Sequence, residues 1–500
     1  MRYPYRLLVA AILLVHLIAL AATASVQVEI ERAVKAVPMK TATVGISVRD
    51  ANSRATLADI NASMSMIPAS NMKLLTTGAA LHVLGPDYTF DTKLLRDGDR
   101  LIVVGSGDPA FGDPHLLALM SANGSRGIGI EQFLDFWVQP VVQSGMTHIS
   151  ELIIDDRVFD REYVHSTWPI EQLNRRYCAE VAGLNFHLNV LHFFPRPTAN
   201  GGRPDISNFE PFAPWLDVGN SATSRTGKDD PNSVWIARPN GTNALRVYGN
   251  VKHTYRVAVP VTIHDMPTFF GRLLADRLQA AGVKVDSVRL AHEHEPSPNG
   301  KPIAPMISTP LATIVERCNR DSQNLYAEAM LKRVGGILTQ QPGSWVNGSA
   351  MIRHAAHERL GSPSLAASII VADGSGLSRD NRVSPATLTA WLNTFHADED
   401  LERVFYESLA VPGQDGTLRT RFRSADLHGM EVHAKSGYIN GVSCLSGYVT
   451  APDGRRRSFS VMVNDIPDPS TLRRARELQE QIVLILARDL AAVEVRLGSD

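Results

Sequence analysis

Apolar positions along this chain fall into two textures, periodic and helix-like towards both ends, short and interrupted in the middle. The stretch from Val26 to Val37 is helix-like, and Val44-Gly45-Ile46-Ser47-Val48 reads as a strand. A turn at Ala51-Asn52-Ser53 leads to a second extended segment near Ala55-Thr56-Leu57, which predicts a hairpin. Ile67-Pro68-Ala69 then precedes a helix from about Ser70 to Leu84, closed by Gly85-Pro86. After Lys73 that helix carries Leu74, Leu75, Ala79, Ala80, Leu81, Val83 and Leu84. A helix apolar on most sides belongs inside a domain.

From about Asp91 to Gly300 short strands such as Leu101-Ile102-Val103-Val104 and Glu151-Leu152-Ile153-Ile154 alternate with long Gly-, Pro- and Asn-rich loops. The most loop-like portion runs from Pro195 to Asn250, and the proline-rich segment His292 to Pro302 reads as a return linker. From Thr309 through Leu331 the pattern is helical again. Val432 to Gly437, Leu445 to Thr450 and Phe459 to Val463 read as strands, with a turn at Pro452-Asp453-Gly454. An amphipathic helix from Ser470 to about Ala492 follows. Early hairpin, late antiparallel strands and flanking helices predict one α+β domain built from both ends of the chain. Five hundred residues exceed one ordinary core. The expected division is a leader at 1–24, a main domain at 25–90 plus 301–495, an inserted domain at 91–180 plus 256–300, and a domain nested within it at 181–255. No fixed-period repeat interrupts this plan.

Charge excludes more than it suggests. Fifty Lys and Arg against 51 Asp and Glu leave a net charge of −1, no field for nucleic acid or an anionic membrane. At the start, Arg2 and Arg6 precede an apolar run from Leu7 to Leu20 and an Ala22-Thr23-Ala24 ending. That order describes a secretory signal cleaved after Ala24, and hence export from the cytoplasm with no later membrane span. Three scattered cysteines, Cys178, Cys318 and Cys444, lack the spacing of a redox or zinc pair and are expected as buried thiols.

Three polar clusters carry candidate chemistry. Ser70-Asn71-Met72-Lys73 opens the buried helix, and residues three apart share a helix face, so the lysine amine can reach the serine hydroxyl. A serine is a weak nucleophile until a neighbouring base takes its proton, and an amine can do so only when neutral. Ser322-Gln323-Asn324 is expected on a loop or helix start, aiming a hydroxyl and an amide into a cleft; an N-cap is the plainer alternative. Lys435-Ser436-Gly437 lies on a predicted strand followed by Tyr438. A cation and a hydroxyl there can hold a carboxylate, and the glycine admits a substrate backbone. Each cluster alone is common. Their order and separation match the S-x-x-K, S-x-N, K-[TS]-G set of serine penicillin-binding enzymes.

With those motifs the chain resembles the D-alanyl-D-alanine carboxypeptidase/endopeptidase family of the penicillin-binding protein 4 type, peptidase family S13. Further segments carry the likeness: Gly105-Ser106-Gly107-Asp108-Pro109, Leu152-Ile153-Ile154-Asp155, Asp373-Gly374-Ser375-Gly376-Leu377-Ser378-Arg379 and Gly413-Gln414-Asp415-Gly416-Thr417-Leu418. The resemblance implies a penicillin-binding transpeptidase-like α+β domain, also the fold of serine β-lactamases, with large nested β-rich insertions. It implies a periplasmic serine peptidase acting on peptidoglycan peptides and inhibited by β-lactams. Ser70 would be acylated with Lys73 as its base, Ser322 and Asn324 completing the proton network. Lys435 and Ser436, beside Gly437, would bind the terminal carboxylate, and the backbone N–H groups of Ser70 and Tyr438 would form an oxyanion hole. Asp155, Phe159 and Arg379 match positions that meet the substrate's diamino acid side chain. No cofactor or metal is implied. Ser436 stands where threonine is common, and no glutamate dedicated to deacylation is identifiable, which predicts slow turnover of antibiotic adducts.

Two patterns are set aside. Ser375 between Gly374 and Gly376 lacks the G-x-S-x-G spacing of a nucleophile elbow and reads as a turn. His292-Glu293-His294-Glu295 lacks metalloprotease spacing and reads as solvated linker. Two rival functions stay open: a β-lactamase or esterase on the same fold, and a cell-wall-binding protein that has lost the reaction.

Overall fold

The computed structural model describes residues 26–122 and 125–497; the expected leader lies outside the described residues. The described residues divide into two compact units, one from the segments 26–86, 315–323 and 349–497, the other from 87–314 and 324–348.

The first unit is built on a five-stranded antiparallel sheet in the order Thr56–Ile60, Thr43–Asp50, Arg456–Asn464, Val442–Thr450, Glu431–Ile439. The expected strands are all here, extended by one to three residues at one or both ends, the second beginning at Thr56 rather than Ala55. Alternation assigns the two faces. Val44, Ile46, Val48, Leu445, Val449, Phe459, Val461 and Val463 join one core with Val26 and Ile30 of the 26–36 helix and Leu478, Ile482 and Leu486 of the helix Pro469–Leu497. Ser47, Cys444, Ser446, Tyr448, Ser458 and Ser460 take the opposite face, yet all nine residues of each central strand are buried. A second helical layer therefore covers that face.

Two helices make this layer. The helix Met72–Leu84, entered through a 3₁₀ turn at Ala69–Asn71, is buried from Met72 through Leu81. Beside it lies Pro385–His396, which the sequence reading did not identify although its start is well marked: Ser384 accepts from the Thr387 N–H at 3.1 Å and Pro385 follows. Trp391 donates its indole N–H to the Leu74 carbonyl at 2.9 Å, and the Tyr448 hydroxyl donates to the Leu392 carbonyl at 2.7 Å. Two buried side chains thus pin this helix to the Ser70 helix and to the sheet.

The second unit carries a mixed sheet in the order Val288–Leu290, Leu152–Asp155, Arg100–Val104, Thr89–Asp97, with Lys301–Pro302 and Ile307–Pro310 both pairing with the last strand. The helices Ile130–Gln143 and Met266–Ala280 stand where the sequence pattern predicts short strands and loops, and bury Phe133, Trp137, Phe270 and Leu274 in its main core. The expected nested domain at 181–255 has no core of its own, since Leu184, Phe186, Leu191, Ile236 and Val247 belong to that same cluster. Nor does the chain leave the unit at 301: the pairing of Ile307–Pro310 with Thr89–Thr92 keeps it there, and the boundary falls after Ile314. Among the described residues no helix is long and apolar enough to cross a membrane. All three cysteines are buried.

Candidate active site

Ser70 stands in the 3₁₀ turn that leads into its helix, so its hydroxyl lies at the helix mouth while Lys73 is one turn further in. The Lys73 ammonium nitrogen is 3.1 Å from the Ser70 Oγ and 2.8 Å from the Ser375 carbonyl oxygen. Lys73 has no exposed surface. The carbonyl partner comes from the loop after Val371, organised by one buried carboxylate. Asp373 accepts from the N–H groups of Gly376 at 2.8 Å and Ser378 at 2.6 Å, and from the Asn381 amide at 2.8 Å. Ser375 is therefore a turn residue as read, but its backbone oxygen is what matters, a role invisible in side-chain patterns.

A second amine enters from the sheet edge. Lys435, also fully buried, donates to the Ser322 Oγ at 2.9 Å and to the Ser436 carbonyl at 2.8 Å. Burial pushes its pKa well below the ordinary lysine value, and the charge of Lys73 pushes the same way. Ser322 sits in the left-handed region at φ 59° between the helices Leu311–Arg320 and Asn324–Thr339. Ser436 donates to the Thr417 Oγ1 at 2.8 Å. Gly437 lets this strand come close to the Ser70 turn, because a Cβ there would stand 2.8 Å from the Pro68 carbonyl oxygen. The strand is the sheet's outer member, and Ala434 exchanges both backbone hydrogen bonds with Ala410 on its free side. By the antiparallel alternation, Tyr438, four residues on, directs its N–H to that same side. Its side chain is 53% exposed.

Ser70, Lys73, Ser322, Lys435, Ser436, Gly437 and Tyr438 thus all belong to the first unit, where the printed contacts join Ser70 to Lys73 and Lys435 to Ser322. Arg379 belongs there too, donating to the Asn440 carbonyl at 2.7 Å. Asn324 begins a helix of the second unit, and its amide donates to the Tyr177 carbonyl at 2.8 Å. Asp155 ends a strand of that unit and is held by Arg157 through two contacts of 2.8 Å. It lines a cavity of about 670 Å³ together with Asp91, Lys93 and Arg333. Phe159 requires a correction. It is 1% exposed, and its ring lies where a Cβ on Gly107 would be 2.3 Å away, so it is a packing wall rather than a surface for ligand. Thr417, Ser375 and Asp373 are the participants that the three motifs do not contain; Thr417 and Asp373 lie in segments marked only by family likeness, and Ser375 in one that reads as a turn.

Residues 26–488 match the sequence profile of the D-Ala-D-Ala carboxypeptidase 3 (S13) family. A D-alanyl-D-alanine carboxypeptidase of Actinomadura sp. is 29% identical over 467 residues, covering 89% of this chain and 81% of that protein. The crystal structure of penicillin binding protein 4 from Haemophilus influenzae superposes with a TM-score of 0.72 at 22% identity, over 92% of this chain and 99% of that one. A complex of the same protein with a β-lactam gives 0.67 at 22% identity, over 91% and 98%. These likenesses establish the fold.

Proposed function

The chain belongs to the D-Ala-D-Ala carboxypeptidase 3 (S13) family, and from that premise we propose that it cleaves D-alanyl peptides of peptidoglycan through an acyl-enzyme on Ser70. The observation that carries this reading is the 3.1 Å contact between the Ser70 hydroxyl and a fully buried amine. The hydroxyl attacks the carbonyl carbon of the scissile amide while Lys73, in its neutral form, takes the proton. Two amines within Coulombic reach resist holding two charges, so a substrate carboxylate that restores the Lys435 ammonium in turn favours the neutral form of Lys73. The N–H groups of Ser70 and Tyr438 receive the developing oxyanion, each such contact being worth ~3–4 kcal/mol. Collapse breaks the C–N bond, and Ser322, with Asn324, passes a proton to the departing D-alanine amine. Water then hydrolyses the ester, freeing Ser70.

Lys435 explains the demand for a free carboxylate. Desolvated and repelled by Lys73, it is short of one negative charge. A substrate carboxylate supplies it and restores the ammonium, so carboxylate-terminated ligands gain what amides do not. Ser436, its hydroxyl oriented by Thr417, adds a donor to the same group. A β-lactam presents a carboxylate next to a strained amide and is trapped by the same groups. Asp155 and Arg379 remain candidates for the diamino acid side chain, with Asp155 available only in competition with Arg157. Endopeptidase cleavage of cross-links, periplasmic location and slow loss of the penicilloyl group belong to the same proposal.

Mass spectrometry of the protein incubated with penicillin should place one adduct on the Ser70 peptide, with D-alanine released from a pentapeptide by untreated enzyme. Ser70→Ala should lose both; an adduct on another serine of that variant overturns the assignment. Lys73→Ala should slow acylation by about 10²–10⁴-fold, the usual worth of a general base.

A further inference from the structure

We infer that Thr417, which none of the three motifs contains, is a specificity-determining residue whose hydroxyl donates to the terminal carboxylate of the substrate; this rests on the acyl-transfer reading above. Lys435 is the cation of the site, yet it has no exposed surface. It spends two N–H bonds on the Ser322 Oγ at 2.9 Å and the Ser436 carbonyl at 2.8 Å. It therefore acts on a carboxylate mainly through its charge, and direct contacts fall to the hydroxyls around it. The Ser322 proton is committed to the departing amine. Two hydroxyls are left, those of Ser436 and Thr417, both half-buried, with 2.8 Å between their oxygens.

A hydroxyl has one proton to give. Ser436 gives its own to the Thr417 Oγ1, and among the described residues no group accepts the Thr417 proton. The unspent donor of the pair is thus on Thr417. A carboxylate only accepts and has two oxygens, so it can replace the Ser436–Thr417 bond and take one proton from each hydroxyl. An ester or amide terminus has no charge to reward that exchange. The placement agrees. Thr417 lies in the 3₁₀ turn Gly416–Leu418. The free side of the outer strand is closed at Ala434 by Ala410, and Thr417 meets the strand two residues on, at Ser436, before Tyr438. A chain lying along that edge from Tyr438 meets Thr417 where Ala410 bars further pairing, the place for a chain end. The turn is also firmly held. Leu418 has no exposed surface, the Gly413 N–H donates to the Leu418 carbonyl at 3.3 Å, and Asp415 pairs at 3.3 Å with Arg320, two residues before Ser322.

The test compares benzylpenicillin with its methyl ester, which differ only at the carboxylate, by acylation rate with the adduct mapped to Ser70 by mass spectrometry. Wild type should react faster with the acid. Thr417→Val keeps the shape and removes the hydroxyl, and should lower the acid-to-ester ratio of rates by about ten-fold or more, the value of one hydrogen bond to a charged group. Taking the ratio on one variant cancels any general displacement of Ser70 and any unfolded fraction. Thr417→Ser should keep the wild-type ratio; should Thr417→Val fail to fold, Thr417→Ala makes the same comparison. In a Ser436→Ala background Thr417→Val should still lower the ratio several-fold, because each hydroxyl meets its own carboxylate oxygen. A loss that vanishes in that background would make Thr417 only an orienter of Ser436 and overturn the inference. So would an unchanged ratio in Thr417→Val alone, or equal rates of acid and ester in wild type. All three outcomes leave Ser70 labelling intact, whereas no adduct on Ser70 in wild type would overturn the acyl-transfer reading and this inference with it.

Discussion

Gly376 shows how narrowly the site is built. Its φ is 82°, and a Cβ there would stand 1.8 Å from the Ala69 carbonyl oxygen, one residue before Ser70. Ala69 is itself in the left-handed region at φ 46°, a conformation that usually costs a non-glycine residue about 1–3 kcal/mol. The turn presenting the nucleophile is thus strained and held in place by a glycine behind it. Gly376→Ala must move one of the two backbones. The expected result is a fall in melting temperature of several degrees, from about 2–4 kcal/mol of lost stability, and penicillin acylation slowed by more than ten-fold. A scanning melt and a stopped-flow acylation measurement check both; an unchanged acylation rate would detach this contact from catalysis. The three motifs were readable at this scale because each is a short run of polar residue types. Nothing in the letters Gly374-Ser375-Gly376 discloses that a carbonyl there receives Lys73.

Among elements, the loop from Asp373 to Asn381 and the helix Pro385–His396 support the Ser70 helix from behind. The loop has no regular structure, so its shape depends on Asp373, fully buried and accepting from Gly376, Ser378 and Asn381. Asp373→Ala leaves these donors without their acceptor, a loss of about 3–5 kcal/mol for breaking a buried charged network. Asp373→Asn keeps the shape but supplies one acceptor oxygen in place of two. Acylation rates should therefore fall in the order wild type, Asn, Ala, measured on folded protein at low temperature. Equal rates in all three would mean that the loop does not position Lys73. The strands were legible because period-two alternation survives on the core-facing side of the sheet. The helix Pro385–His396 was not, because it is buried on most of its surface and keeps no clean polar stripe, its Ser-Pro start notwithstanding.

At the scale of the molecule the two units differ in what they bury. The second holds His187 and His192 with ring centroids 4.8 Å apart. Burial pushes His187 down to about 3, with the charge of His192 adding to the effect, and pushes His192 down to about 4. Both are therefore neutral in the folded protein at pH 5, where the unfolded chain, with ordinary values of 6.5, binds a proton at each. At these two sites the unfolded state takes up more protons throughout this interval, so their contribution to stability drops as pH falls from about 6.5 towards 4, opposed in part by Asp108, whose carboxyl is pushed up to about 7 by burial. Melting temperature against pH should show that decline, and His187→Phe should flatten it relative to wild type; parallel curves would remove the pair from the acid response. By itself the sequence determined the α+β class, the strands of the main sheet, the buried Ser70 helix and the three polar clusters, because these are properties of local periodicity and of residue chemistry. Tertiary structure alone decided where the inserted unit returns, that its 181–255 portion has no separate core, that Phe159 is packing, and that the carbonyl of Ser375 meets Lys73. Strand partners and backbone acceptors are chosen by segments hundreds of residues apart, and no local pattern records a pairing settled only when the chain closes on itself.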